Sequence, residues 1–397
     1  MIPVDEARSR ILESFSRLPS EQVAISEAAG RVLAEPVFSR VTKPPQAVSA
    51  MDGYAVRAVD VAEVPATLSV AGEAPAGGAH DAELQPGEAV RIFTGGPLPT
   101  GADSIVIQEN TARNDDKVTV EVSVGEGRFV RRKGLDFALG DPGPPAGRLL
   151  GPREIALIAA MNVPWLKVTR RPRVAILGTG DEIVMPGEPL GPNQIVSSNS
   201  LALAAIVREA GGEPQGLGIA RDDEESLREI VRGAARADLL VVTGGMSVGE
   251  HDLVRKVLGE EGLDLAFWKI AMRPGKPLAF GMLGDTPMLG FPGNPVSTLV
   301  CGHLFLRPAI AAMLGQDGGV PDEDSALLGS GIGANDERQD YMRATLGRNA
   351  EGELVATPFD RQDSSMLATL ADASCLIVRP PHAVAAQSGE RVRIVRL

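Results

Sequence analysis

The run Val174-Ala175-Ile176-Leu177-Gly178-Thr179-Gly180-Asp181-Glu182 decides the fold. An unbroken apolar stretch stops in a Gly-rich loop that carries two acids, which reads as a buried strand ending at a ligand edge. The pattern returns at Leu239-Leu240-Val241-Val242, which runs into Thr243-Gly244-Gly245-Met246-Ser247-Val248-Gly249-Glu250-His251-Asp252. It returns again at Met288-Leu289-Gly290 before Phe291-Pro292-Gly293-Asn294-Pro295, and Arg273-Pro274-Gly275-Lys276-Pro277 supplies a further loop. In an open α/β sheet such loops gather at the carboxyl ends of parallel strands, where ligands bind. Glycines let the backbone approach an anion, and the helix after each loop offers unpaired N–H groups at its positive end. The region therefore reads as a phosphate-holding crevice that also carries carboxylates.

Around this core the pattern alternates. Strands are predicted at 173–177, 214–219, 238–242, 264–269, 278–282 and 287–290, and helices at 199–210, 223–235, 251–260 and 296–314. Together they predict a doubly wound α/β domain over 169–318. Upstream, Val4, Ala7, Ile11, Leu12 and Phe15 have helical spacing, and a second short helix is expected around Ile25 to Leu33. From about 50 to 148 short β-like runs alternate with Gly, Pro and Asp turns, the signature of a β-rich insert. Helical spacing resumes at 153–161, so residues 1–45 and 142–168 are expected to form a helical linker domain, its two helical pieces packed together beside an insert at 46–141. After 325, short strands at 342–346, 354–357, 375–378 and 392–395 predict a C-terminal small β-barrel over 319–397. The fold class is thus multidomain, α/β plus β.

Bulk properties narrow the function. The 397-residue chain is 44% hydrophobic and 23% charged, the balance of a folded protein with several cores. A formal net charge of −13 argues against nucleic acid as a partner, because affinity for a phosphate backbone needs clustered Lys and Arg. Cys301 and Cys375 have no CxxC partner, which disfavours a disulfide framework or zinc knuckle. Four scattered His leave any metal to carboxylates, favouring a hard cation such as Mg²⁺. No apolar run is long enough to span a membrane and the N-terminal stretch lacks a signal pattern, so the expected location is cytoplasmic.

Asp181, Glu182, Asp222 and Asp252 each follow a predicted strand or open a predicted helix, which would bring them to one edge of the sheet. Four acids there repel unless a divalent cation sits among them, although helix starts favour Asp and Glu for capping alone. Lys269, Arg273 and Lys276 supply the countercharge for an oxyanion, and Ser247 with Gly244 to Gly249 suits a phosphate cradle. Asp52 and Thr94, far away in the insert, read from their chemistry as turn residues.

Motifs spread along the whole chain carry a resemblance. Ser49-Ala50-Met51-Asp52-Gly53-Tyr54-Ala55, Arg91-Ile92-Phe93-Thr94-Gly95, Gly134-Leu135-Asp136, the Gly178 to Glu182 loop, Arg221-Asp222-Asp223, the Gly244 to Gly249 loop, Pro274-Gly275-Lys276-Pro277 and Pro292-Gly293-Asn294-Pro295-Val296-Ser297 occur in the order seen in molybdopterin molybdenumtransferases (MoeA, and the corresponding domain of gephyrin). The resemblance implies an α/β domain similar to molybdopterin adenylyltransferases, and a homodimer whose cleft joins that unit to the partner's insert. It implies insertion of molybdenum from molybdate into adenylated molybdopterin, with Mg²⁺ present and AMP released.

Carried over residue by residue, it gives catalytic roles to Asp52, Asp136, Glu182, Asp222 and Asp252, with Asp181, Glu182, Asp222 and Asp252 as metal ligands. Binding roles fall to Thr94, Thr179, Gly180, Asp181, Gly244, Gly245, Ser247 and Gly249 on one side. Lys269, Arg273, Lys276, Pro292, Asn294, Pro295, Ser297 and Ser364 provide the rest. Three positions depart from the family pattern: Leu135 stands where Glu is usual, Arg273 for Lys, and Asp363 for Gly. A molybdopterin adenylyltransferase and a scaffold that kept the fold without activity are the competing readings. A molybdopterin adenylyltransferase and recipient molybdoenzymes are the protein partners such a function would meet.

Overall fold

The computed structural model describes residues 1–221, 223–245, 253–316 and 323–397. Its centre is a six-stranded sheet of β1 (Arg173–Thr179), β2 (Glu213–Ala220), β3 (Leu239–Thr243), β4 (Leu263–Trp268), β5 (Ala279–Leu283) and β6 (Thr286–Phe291), ordered 2-1-3-6-5-4. β2, β1, β3 and β6 run parallel, as expected, but β5 pairs antiparallel with both β6 and β4. The reason is local: only Gly284-Asp285 joins β5 to β6, and a two-residue link permits a hairpin but no crossover. β4 thereby regains the direction of β6, so the loop after it, with Lys269 and Lys276, still reaches the carboxyl edge.

Alternate residues of the central strands feed two cores. Val174, Ile176, Leu239 and Val241 pack with Leu203, Val207 and Val300 on one face. Ala175, Leu177, Leu240 and Val242 pack with Leu227 and Val257 on the other. Both faces are covered, which is why these strands read as continuous apolar runs. The helix predicted at 296–314 is an α-helix at Pro295–Cys301, a π-helical segment at Gly302–Leu306 and an α-helix at Arg307–Leu314. Its apolar length matches a membrane span, yet 72% of it is buried against the rest of the protein.

The N-terminal region corrects two expectations. Residues 25–33 do not form a helix; Ile25–Glu27 is a single 3₁₀ turn, because Ser20–Ala24 just before it is a strand paired with Trp165–Thr169. The two helical pieces do not pack together either. Val4, Ala7 and Ile11 of the helix Val4–Glu13 join the core of the α/β domain, whereas Ile158 of the helix Pro152–Ala160 joins Leu33, Leu150 and Val168.

The insert is a six-stranded sheet in which Gly53–Val56 pairs with Glu88–Ile92, Gly53 opposite Ile92. A Cβ on Gly53 would stand 1.9 Å from the Val106 carbonyl oxygen, so only glycine fits there. In the tail, Gln339–Arg348, Leu354–Pro358, Glu323–Leu328, Arg391–Arg396 and Cys375–Arg379 pair in that order, and the last returns to the first, closing a barrel. A two-residue strand, Met272–Arg273, leaves the α/β domain to pair with Gln339–Asp340 of the barrel.

Candidate functional site

The strand order changes direction beside β1, with β2 on one side and β3 on the other, and a crevice opens there at the carboxyl ends. The cavity holds about 710 Å³ and is lined by Thr179, Glu182, Thr243, Gly244, Gly245, Lys269, Lys276, Pro292, Asn294 and Pro295, among others. Gly244 has φ +90°, and a Cβ there would lie 2.4 Å from the Thr179 carbonyl oxygen, so the two loops touch only because the residue is glycine. Lys269 also has positive φ, +75°, a strained conformation for a lysine, and its Nζ lies 4.2 Å from the Trp268 ring centre. Ile270 N–H donates to the Lys276 carbonyl at 3.0 Å, closing the turn that presents both lysines.

The barrel supplies another wall through Ser365 and Leu367. Asn294 Nδ2 donates to Ser364 Oγ at 2.9 Å, and Val296 N–H donates to the Ser364 carbonyl. Behind this loop Arg343, 1% exposed, donates to Gln362 Oε1 and to the Met366 carbonyl. Asp363, where the family pattern has glycine, accepts from the Ser365 N–H and hydroxyl at 2.8 and 2.6 Å. Those two bonds, the hydroxyl first, hold its carboxyl below the ordinary range.

The predicted residues fall into groups. Thr179, Glu182, Gly244, Gly245, Lys269, Lys276, Pro292, Asn294 and Pro295 line the cavity. Gly180 and Asp181 lie in the same loop, and Ser364 meets the site through Asn294, while Ser297 is buried in its helix. Asp222, Ser247, Gly249 and Asp252 lie outside the described residues. Among the described residues no group of three or more His, Cys, Asp or Glu is placed to hold a metal ion. Asp181 and Glu182 do not by themselves make the octahedral oxygen set that magnesium demands. Asp52, Thr94 and Asp136 belong to the insert and do not line this cavity. Asp52 and Thr94 nevertheless meet: Thr94 N–H and Oγ1–H donate to Asp52 Oδ1 at 2.7 and 2.8 Å. The backbone bond foremost, then the hydroxyl, holds the Asp52 carboxyl below its usual range. Asp136 pairs with Lys43 at 3.2 Å.

Arg273 is a correction to the expected oxyanion clamp. Its guanidinium turns to the barrel, donating to Asp336 at 3.0 Å, to Asn335 at 3.1 Å and to Asp340. The short strand Met272–Arg273 sets that direction, since its pairing with the barrel carries the side chain away from the crevice edge. Asp336 also accepts from Arg338 at 2.6 Å, and that bond foremost lowers its pKa from 3.8 to about 2. Folding therefore favours the Asp336 carboxylate: the stabilisation is complete above the ordinary aspartate value and is lost as pH falls through about 2. In acid unfolding, Asp336→Asn is expected to be less stable than the parent at neutral pH. The gap should stay flat down to about pH 5 and close towards pH 2, and a gap independent of pH would mean the carboxylate charge plays no part.

Sequence reasoning missed Asn199, Ser197, Ser198 and Ser365. The signal was present in Ser197-Ser198-Asn199-Ser200, four cap-type residues at a helix start directly after the acidic loop.

Fold and crevice together define a multidomain α/β protein with a lysine-bearing anion site at its sheet edge. Family models match the chain in order: the MoeA N-terminal region (domain I and II) over residues 2–162, the probable molybdopterin binding domain over 175–312, and the MoeA C-terminal region (domain IV) over 325–397. A molybdopterin molybdenumtransferase of Nostoc sp. is 43% identical over 308 residues, 76% of this chain and 71% of that protein. One from Haemophilus influenzae is 35% identical over 398 residues, 99% of this chain and 98% of its own. The crystal structure of a molybdopterin biosynthesis MoeA protein from Pyrococcus horikoshii has a TM-score of 0.87 at 28% identity, covering 100% of both chains. The chain belongs to the molybdopterin molybdenumtransferase family, a family of transferases.

Proposed function

We propose that the protein inserts molybdenum from molybdate into adenylated molybdopterin, releasing AMP. The carrying observation is the composition of the crevice: Lys269 and Lys276 face Glu182 across a cavity of about 710 Å³, a size suited to a small-molecule substrate. Two lysines outweigh one glutamate, so the cavity favours a doubly charged oxyanion despite the chain's net charge of −13. Exchange of oxygen for sulfur at molybdenum moves protons from the thiols to the departing oxygen, and Glu182 is the described carboxylate on hand to carry one. Magnesium, expected for charge balance, would draw on Asp222 and Asp252 together with Glu182. A non-catalytic scaffold has no need of a strained Lys269 beside a second lysine.

The separation of Asp52, Thr94 and Asp136 from the crevice supports a cleft completed by a second copy of the chain. Anaerobic incubation with adenylated molybdopterin, molybdate and Mg²⁺ should yield AMP and active cofactor. In the same assay, Asp52→Ala and Glu182→Ala should each be nearly inactive alone and regain part of the parental rate when mixed, since one cleft of a mixed dimer receives both intact residues. No AMP from the parent would sink the function; full parental failure to complement would sink the shared cleft.

A further inference from the structure

Three buried polar atoms at the floor of the crevice have no hydrogen-bond partner: Thr179 Oγ1, Asn199 Oδ1 and Ser200 Oγ. Buried polar groups are nearly always bonded, so three at one loop junction require a cause. Asn199 shows the polarity. Its Nδ2 donates to the Gly293 carbonyl at 2.7 Å and to Thr243 Oγ1 at 3.1 Å. A carbonyl can only accept, which settles which end of the amide is nitrogen and leaves Oδ1 an acceptor without a donor. Thr243 cannot turn to serve it, because its hydroxyl donates to the Pro292 carbonyl at 3.3 Å.

The other two atoms ring the same floor. A Cβ on Gly244 would stand 3.0 Å from Thr179 Oγ1, and one on Gly178 would stand 3.2 Å from Ser200 Oγ. Thr179, only 2% exposed, lines the cavity together with Asn199. Molybdate and phosphate present acceptor oxygens and cannot satisfy an amide oxygen. A planar nitrogen heterocycle with N–H groups along its edge can, and the glycine floor lets such a ring lie against backbone.

We infer that Thr179, Asn199 and Ser200 form a recognition cup for the donor-bearing heterocyclic end of the substrate, while Lys269 and Lys276 take its anionic part. This rests on the reading of the crevice as a molybdenum-insertion site. Pterin and adenine share the required chemistry, and the test separates them.

Parent, Thr179→Val and Ser200→Ala are titrated with biopterin, with AMP and with molybdate, and melted without ligand. Neither substitution takes a partner from another group, so the unliganded melting temperature should hold or rise. Affinity for one heterocycle should fall roughly tenfold in Thr179→Val, with molybdate affinity within about twofold of the parent. The heterocycle affected identifies which end of the adenylated pterin occupies the cup. Unchanged affinity for both in both variants overturns the cup, as does weakened molybdate binding alone, or a parent that binds neither heterocycle at millimolar concentration. A parent that inserts molybdenum while its variants bind both heterocycles normally loses the cup and keeps the function. A parent that releases no AMP loses the function and the cup with it.

Discussion

Lys276→Ala raises the molybdate concentration needed for half-maximal insertion by at least about tenfold, the loss expected when one charge-assisted contact of roughly 1.5–3 kcal/mol is removed. The argument is one of charge. Among the described residues the cavity wall carries Lys269, Lys276 and Glu182, so deleting one lysine leaves the cations only level with the carboxylate. Lys276 sits on an exposed turn held by its own backbone, and Gly275 beneath it packs against Cys301 Sγ and Met272, so the truncation leaves the fold intact. Lys276→Arg should recover part of the affinity, keeping charge while changing geometry. Arg273→Ala is the informative contrast. It should leave the molybdate requirement near the parental value and lower the melting temperature instead, because Asp340, 7% exposed, loses its partner. Steady-state insertion assays with molybdate varied, beside thermal unfolding of all three variants, separate the outcomes. If Arg273→Ala raised the requirement as much as Lys276→Ala, the clamp would include Arg273 and its turn towards the barrel would be irrelevant to binding.

Gly244→Ala destabilises the protein by about 3 kcal/mol and abolishes insertion. The residue has φ +90°, and the added Cβ would press on the Thr179 carbonyl at 2.4 Å, which is backbone and cannot swing aside. Relief requires β1 and β3 to part at the crevice floor, which moves Thr179 and the Gly244-Gly245 loop together. The melting temperature should drop by roughly 6–10 °C for a unit of this size. Gly216→Ala is the control, since nothing lies within 4 Å of its Cβ and its φ is ordinary; it should stay within about 0.5 kcal/mol of the parent. Equal melting temperatures for Gly244→Ala and parent would show that the floor gives way freely.

Much of this was legible in the chain because two local signals agreed. Continuous apolar runs such as Val174 to Leu177 announce strands covered on both faces, and the glycines after them announce where those strands stop. The crevice lysines followed from the turn chemistry of Pro274-Gly275-Lys276-Pro277. What escaped depended on long-range pairing. Ile25 to Leu33 has helical spacing, but strand pairing of Ser20–Ala24 with Trp165–Thr169, far along the chain, overrides that weak local preference. Arg273 reads as a free cation until Met272–Arg273 is seen to join the barrel. Asn199 was hidden for a related reason: its amide is oriented by Gly293, ninety-four positions away, and no spacing rule reaches that far.

The pairing of Met272–Arg273 with the barrel makes the lysine turn common property of two domains. One flank of that turn belongs to the α/β sheet and the other is anchored through Asp336 and Asp340, while the Ser364 loop touches Asn294 from the same side. The barrel thus acts as a jig that sets the distance between oxyanion holder and crevice wall. Small changes in its interior, remote from any substrate atom, will surface as altered molybdate affinity before they surface as unfolding.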